Sequence, residues 1–132
     1  MKLRDLFKRK YDINKLYVAN IVQVEKVIDK QPFEVFGSYT IKIKRVETGV
    51  FVKEKNIYGE NVYVQVTTGE KFCDLTWENA KVGEYAVNQN SLTKLKYLLK
   101  SNDIKKLTLE QIKNIENTLN TKAKKDEENF DA

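Results

Sequence analysis

The sequence predicts an α+β fold: a small, mostly antiparallel β-sheet or partly closed barrel of about six short strands, followed by two C-terminal helices. Short segments of alternating apolar residues fill residues 15–90, and glycine or asparagine turns separate them. After residue 91 the apolar spacing becomes helical. Because 132 residues suffice for one hydrophobic core, we expect a single domain over residues 1–125, with a β body (15–90) and a helical C-terminal part (91–125).

The first two predicted strands differ in how their faces are covered. Leu16 to Val24 has apolar residues on both faces, which is typical of a central strand. Tyr39 to Glu47 alternates apolar and polar residues, which indicates one solvated face. Thr48-Gly49 then fits either a tight turn or a β-bulge before the chain continues, and the pattern leaves both open.

The next segments read as a hairpin followed by a last short strand. Thr68-Gly69 marks the hairpin turn, and Tyr85 to Val87 supplies the final strand. Cys73, in the second arm of the hairpin, is expected to be a small, partly buried apolar side chain. Alternation predicts that Tyr63 and Gln65 face solvent. The residues predicted to face the core are Ile41, Ile43, Val62, Val64 and Val66.

The C-terminal third carries two helical stripes. The first predicted helix is capped by Asn90 or Ser91 and has the stripe Leu92, Leu95, Leu98 and Leu99. Thr108 and Gln111 form a capping-box pattern that opens the second helix. Its stripe is Leu109, Ile112, Ile115 and Leu119. Residues 126–132 are charged and are expected to form a disordered acidic tail.

The composition excludes many enzyme classes. The chain has no histidine and one cysteine, so it holds no Ser-His-Asp or Cys-His system and no Cys/His zinc site. Its glycines are isolated, and its carboxylates form no paired pattern. We therefore assign no catalytic, cofactor-binding or metal-binding residue and predict no cofactor. The sequence favours a non-catalytic role over an enzymatic one and leaves the enzymatic one open. With a single cysteine and no apolar run long enough for a membrane span, a cytoplasmic location is expected.

The net charge of +5 is concentrated at the ends of the chain. Residues 1–15 and 94–125 are basic, whereas residues 16–93 are almost neutral. The basic residues are mostly lysine, which together with abundant asparagine and isoleucine is typical of a low-GC, bacterial-like coding sequence. A solvated lysine surface explains this charge, and nucleic-acid binding, where it occurs, is expected to be weak and to come from the ends.

The narrow stripe of the second helix also suits docking into another chain. Together with a tryptophan at a strand-to-turn junction, it predicts an interaction surface of Trp77, Ile112, Ile115 and Leu119. The sequence therefore favours a non-catalytic binding or accessory module that acts through a protein partner or a homo-oligomer.

Two alternatives remain at this point. One is a nucleic-acid-binding small barrel, since tyrosines and lysines interleave in the β body. The other is a small ribonuclease of toxin type. Over the last third of the chain, Ser91-Leu-Thr-Lys-Leu and Leu107-Thr-Leu-Glu-Gln-Ile look like the layout of the MazF/PemK-type toxins. That resemblance extends to no active residue, so it assigns no site.

Overall fold

The computed structural model describes residues 9–29, 39–76, 80–99 and 103–130, and within them all side chains except those of 28, 29, 39, 40 and 125–130. These residues form seven strands, two short 3-10 helices and one α-helix. The strands are β1 (Lys10–Asp12), β2 (Leu16–Asp29), β3 (Tyr39–Lys55), β4 (Asn61–Gln65), β5 (Lys71–Cys73), β6 (Tyr85–Lys94) and β7 (Lys106–Thr108). The 3-10 helices are Ile13–Lys15 and Leu95–Tyr97, and the α-helix, α1, is Leu109–Phe130.

The strands form two antiparallel sheets. The larger has the order β5-β4-β3-β2-β6, and β1 pairs with β7 in a separate two-stranded sheet. The prediction of an α+β fold with antiparallel strands is confirmed, with seven strands in place of six. The central position predicted for β2 is also confirmed, because β2 pairs with β3 on one side and β6 on the other.

The large sheet curls but does not close into a barrel within the described residues. Its two edge strands meet at one parallel bridge, between Asp74 and Val87, where the Leu75 N–H donates to the Val87 carbonyl at 3.0 Å. The predicted partial closure is therefore not shown. The physical reason is the length of β5, which at three residues is too short to build a continuous ladder with β6.

Thr48 and Gly49 form neither a turn nor a bulge. Both lie within β3, where Gly49 is paired with Ala19, and the two irregularities of the β2–β3 ladder fall elsewhere, at Val46 and at Glu25. Glycine is required here by crowding, since a Cβ at position 49 would lie 2.9 Å from Phe51 Cζ and 3.1 Å from Gln65 Nε2. The β3 chain therefore continues straight through the position that the sequence left undecided.

The facing predicted for β4 is wrong. Tyr63 and Gln65 are buried, whereas Val62, Val64 and Val66 are only half-buried. The reason is aromatic packing: the Phe51 ring meets the rings of Tyr63 and Phe72 edge to face, with centroids 6.4 and 6.0 Å apart. In β3 the alternation is as predicted, with Ile41 and Ile43 half-buried and the intervening lysine exposed.

Two hydrophobic clusters cover the two faces of the large sheet, and β2 contributes to both. The sheet cluster, inside the curl, consists of Ala19, Ile21, Phe51, Tyr63, Phe72 and Val87. The helix cluster, beneath α1, consists of Leu16, Val18, Val50, Leu95, Leu107 and Ile112. Burial of both faces explains why β2 is apolar on both sides.

The described residues of the C-terminal part contain one α-helix, so the prediction of two is wrong. Residues 91–94 instead extend β6, where Thr93 pairs with Val18 and Lys94 with Tyr17. Only the 3-10 helix of Leu95–Tyr97 follows. Strand pairing has overridden the helical stripe, because Leu92 packs on the sheet cluster and Leu95 lies in the helix cluster.

The predicted capping box at the start of α1 is confirmed. The Thr108 hydroxyl accepts from the Gln111 N–H at 3.2 Å, and Gln111 Oε1 accepts from the Thr108 N–H at 2.8 Å. The helix continues to Phe130, beyond the start predicted for the acidic tail. Within the described part of the chain, no helix has both the length and the apolar character to cross a membrane.

Candidate functional site

A carboxylate on α1 fixes the helix to the sheet. Glu116 is 7% exposed, and its Oε2 accepts from the Val50 N–H at 2.8 Å and from Gln65 Nε2 at 2.9 Å. Its Oε1 accepts from the Thr67 hydroxyl at 2.6 Å. Charge-assisted hydrogen bonds of this kind are directional, so they fix the position of α1 over the sheet and its rotation about its own axis.

Asn120, one turn later, makes a second anchor. Its Oδ1 accepts from the Thr48 N–H at 2.7 Å and from the Arg45 guanidinium at 2.6 Å, while its Nδ2 donates to the Thr48 carbonyl at 3.0 Å. The Thr48 hydroxyl in turn donates to Asn20 Oδ1 at 2.8 Å. A network in which these partners are matched rigidifies the helix in one position.

Neither anchor is predicted from the sequence. Glu116 and Asn120 follow Ile112 at four-residue intervals, so all three share the sheet-facing side of α1. That spacing was the available signal, but a glutamate and an asparagine on a helix are usually solvated. Only the position of β3 beside the helix shows that Glu116 is buried and Asn120 half-buried.

With α1 held in this rotation, two of its apolar residues, Ile115 and Leu119, line a groove against the segment after β6. This C-terminal groove, of about 260 Å³, is lined by Leu95, Leu98, Leu99, Asn114, Ile115, Thr118 and Leu119. Leu98 is 45% exposed, and the neighbouring Tyr97 is 70% exposed. The C-terminal groove is therefore an apolar surface open to solvent between α1 and the Leu95–Tyr97 helix.

Two lysines lie close in sequence to residues that line the C-terminal groove. Lys96 lies between two residues of the 3-10 helix, with its Nζ 5.3 Å from the centre of the Tyr97 ring. Lys122 is exposed and follows Leu119 by three residues on the same side of α1. Residues 94–125 contain nine basic and three acidic residues, and no charged residue is part of the groove lining described above.

The four residues predicted from sequence as an interaction surface fall into three groups. Trp77 lies outside the described residues. Ile112 is fully buried in the helix cluster and belongs to the core. Ile115 and Leu119 are half-buried, packing on that cluster from one side and lining the C-terminal groove from the other.

A second polar group lies at the open end of the sheet cluster. The Tyr63 hydroxyl is buried and has no hydrogen-bond partner of standard geometry among the described residues. Burial, and then the nearby Asp74 carboxyl, raise the pKa of Tyr63. Burial also raises the pKa of Asp74, against the opposing effects of the Tyr63 hydroxyl and the Lys53 ammonium.

Few reactive side chains accompany the Tyr63 hydroxyl and the Asp74 carboxyl. Lys53 lies 5.6 Å from the centre of the Tyr17 ring, so its ammonium is already placed over an aromatic face. Asn61 Oδ1 is a further buried oxygen with no hydrogen-bond partner among the described residues. The Tyr63 and Asp74 side chains can therefore hold a proton or accept a hydrogen bond.

Cysteine and carboxylate side chains do not assemble a metal centre in the described ranges, where no cluster of three or more candidate ligands occurs. Cys73 is exposed, so the prediction that it is partly buried is wrong. In β5 it is Phe72 that faces the core, and Cys73 points the opposite way, as strand alternation requires.

Comparison of the chain with protein-family models, with curated proteins and with solved structures finds no match. The class to which the protein belongs is therefore defined by its own fold: an α+β protein whose curled antiparallel sheet carries one hydrogen-bond-anchored C-terminal helix. Its distinguishing surface is the C-terminal groove.

Proposed function

We propose that this protein is a non-catalytic binding module that acts through a protein partner, and that the C-terminal groove is its binding surface. The observation that carries the proposal is an exposed apolar groove, bordered by Leu98 and Tyr97, on an otherwise charged C-terminal third. Apolar grooves rimmed by polar residues are typical of protein interaction sites.

The anchors of α1 make this groove suitable for recognition. Glu116 and Asn120 hold one face of the helix to β3. Ile115 and Leu119, each one residue earlier and so about 100° around the helix, line the groove. A wall fixed by hydrogen bonds before binding loses little conformational entropy when a partner docks. The groove is therefore preorganised without any contribution from the partner.

A displayed library of short helical peptides tests this proposal. Selection against the full chain is followed by binding measurements on two single variants, Leu98→Glu and Lys113→Glu. Lys113 is exposed and lies about 200° around α1 from Ile115, so its variant is a charge-changing control on the far side of the helix.

We expect selected peptides to bind the wild type and the Lys113→Glu variant with similar affinity, of the order of micromolar Kd. Leu98→Glu should weaken them by about tenfold or more, because it introduces a charge into an apolar contact. The proposal would be contradicted by selected peptides that bind the Leu98→Glu variant as tightly as the wild type. It would also be contradicted if the library yielded no binder while single-stranded nucleic acid bound to the protein.

A further inference from the structure

We infer that the occupant of the C-terminal groove is an amphipathic helix with acidic flanks, contributed by a different protein; this rests on the proposed function. The groove runs along α1 from Asn114 to Leu119, close to one and a half helical turns. An opposing helix reaches a groove of this length with apolar residues at i, i+3 and i+4.

The charge around the groove indicates which residues the docking helix carries on either side of its apolar stripe. Lys96 lies on the 3-10 helix next to the groove-lining Leu95, and Lys122 follows Leu119 by three residues on the same face of α1. The nearest acidic residue on α1, Glu116, is turned away into the sheet, where its oxygens accept three hydrogen bonds. A docking helix therefore meets positive potential on both sides of its apolar stripe, which carboxylates complement.

The same charge argues against a second copy of this chain as the occupant. Residues 94–125 carry nine basic residues against three acidic ones, and the four acidic residues of 126–132 follow the groove-lining residues in the sequence. Two copies joined groove to groove about a two-fold axis would bring Lys122 and Lys96 of each copy together. Like charges facing each other disfavour that arrangement, whereas an acidic partner relieves it.

Three synthetic peptides provide the test. They share one stripe of leucines at i, i+3, i+4 and i+7, and differ only in carrying Glu, Gln or Lys at the flanking positions. Binding to the full-length chain is measured by fluorescence anisotropy at low and high salt. The protein variants are Lys122→Glu, the double variant Lys96→Glu/Lys122→Glu, and the far-side control Lys113→Glu.

The expected result is that the Glu peptide binds about tenfold more tightly than the Lys peptide, since two exposed ion pairs of ordinary strength give a factor of this size. High salt should reduce the difference. The Lys122→Glu variant should reduce the difference in affinity between the Glu and Lys peptides, and the double variant should reverse its sign. The Lys113→Glu variant should leave this difference unchanged. Because Lys122 is exposed, its single variant is informative even where Lys96→Glu disturbs the Tyr97 contact.

Three results would overturn the inference, and they separate it from the proposed function. Equal binding of the three peptides, abolished by Leu98→Glu, rejects the acidic partner and keeps the groove as a protein-binding site. Absence of binding by all three, together with an unsuccessful library selection, rejects both. A dimer in sedimentation that Leu98→Glu converts to a folded monomer identifies a second copy as the occupant.

Discussion

Glu116 of α1 accepts a hydrogen bond from the backbone N–H of Val50 at 2.8 Å, directly beyond the point where the β3–β4 ladder ends at the Phe51–Gln65 pair. A helix carboxylate thus satisfies a strand donor that β4 no longer reaches. Buried backbone donors need a partner. This single contact therefore joins β3, the middle strand of the large sheet, to the element that forms one wall of the C-terminal groove.

Removal of that carboxylate should destabilise the whole domain. Glu116→Ala leaves the Val50 N–H and Gln65 Nε2 without an acceptor, which should lower the free energy of unfolding by about 2 to 4 kcal/mol. Glu116→Gln keeps one oxygen and should cost about 1 kcal/mol. Urea denaturation measures both.

Asn117→Ala is the matched control, because Asn117 is exposed on the next position of the same helix. Its substitution should change the free energy of unfolding by less than about 0.5 kcal/mol. If Glu116→Ala were as stable as this control, α1 would be held by apolar contacts alone and the anchor would be incidental.

The elements predicted correctly from sequence are those that local interactions decide. The Thr108–Gln111 capping box needs only residues three apart, and β2 shows its central position by being apolar on both faces. The start of α1 and the antiparallel character of the sheet follow from such signals.

The wrong predictions concern residues whose structure is determined by contacts with distant parts of the chain. Leu92 and Leu95 fit a helical stripe, yet they occupy different elements because β6 finds a partner in β2. Valines at 62 and 64 are strong strand formers, but the Tyr63 ring fills the space beside Phe51 and takes the buried side. The four-residue spacing from Ile112 is the one local sign that Glu116 is buried, so the anchored helix is not predicted, although two residues of the groove, Ile115 and Leu119, are.

The buried hydroxyl of Tyr63 should contribute nothing favourable to stability. It has no hydrogen-bond partner of standard geometry among the described residues, and its burial removes it from water. Tyr63→Phe should therefore leave the free energy of unfolding unchanged or raise it by up to about 1 kcal/mol. Tyr58→Phe, at a position 80% exposed, serves as the control and should have no effect.

Thermal and urea unfolding of the two tyrosine variants decide this point. A loss of more than about 1 kcal/mol in Tyr63→Phe would mean that the hydroxyl is bonded in solution, with the Asp74 carboxyl as the nearest candidate.

Asp74 should make the protein less stable as pH rises from acid to neutral. Burial is the main cause that raises its pKa, so the folded state binds its proton more tightly than the unfolded state. The stabilisation from this group is complete below the unfolded pKa of about 3.9 and is lost as pH rises through the higher folded pKa. Asp74→Asn, which stays neutral, should escape that loss.

Urea unfolding of Asp74→Asn and wild type between pH 3 and pH 7 gives the comparison. The two should be similar near the acid end, and the variant should be the more stable at pH 7. Glu70→Gln, an exposed carboxyl in the turn before β5, is the control and should show no such divergence. A wild type more stable than Asp74→Asn at pH 7 would mean that the Lys53 charge outweighs desolvation.

The last prediction separates the core from the groove along a single helix. Ile112 is fully buried among Leu16, Val50 and Leu107, so Ile112→Ala should leave a cavity and cost about 2 to 5 kcal/mol. Leu119 packs on the same cluster from one side only, so Leu119→Ala should cost about half as much. Urea unfolding of the two variants measures the difference, and sedimentation at high concentration shows whether either changes the oligomeric state.

Since the groove wall, not the core, is expected to contact a partner, Leu119→Ala should weaken binding of groove-selected peptides while the protein remains folded. Equal losses of stability at positions 112 and 119 would place Leu119 in the core and remove it from the binding surface.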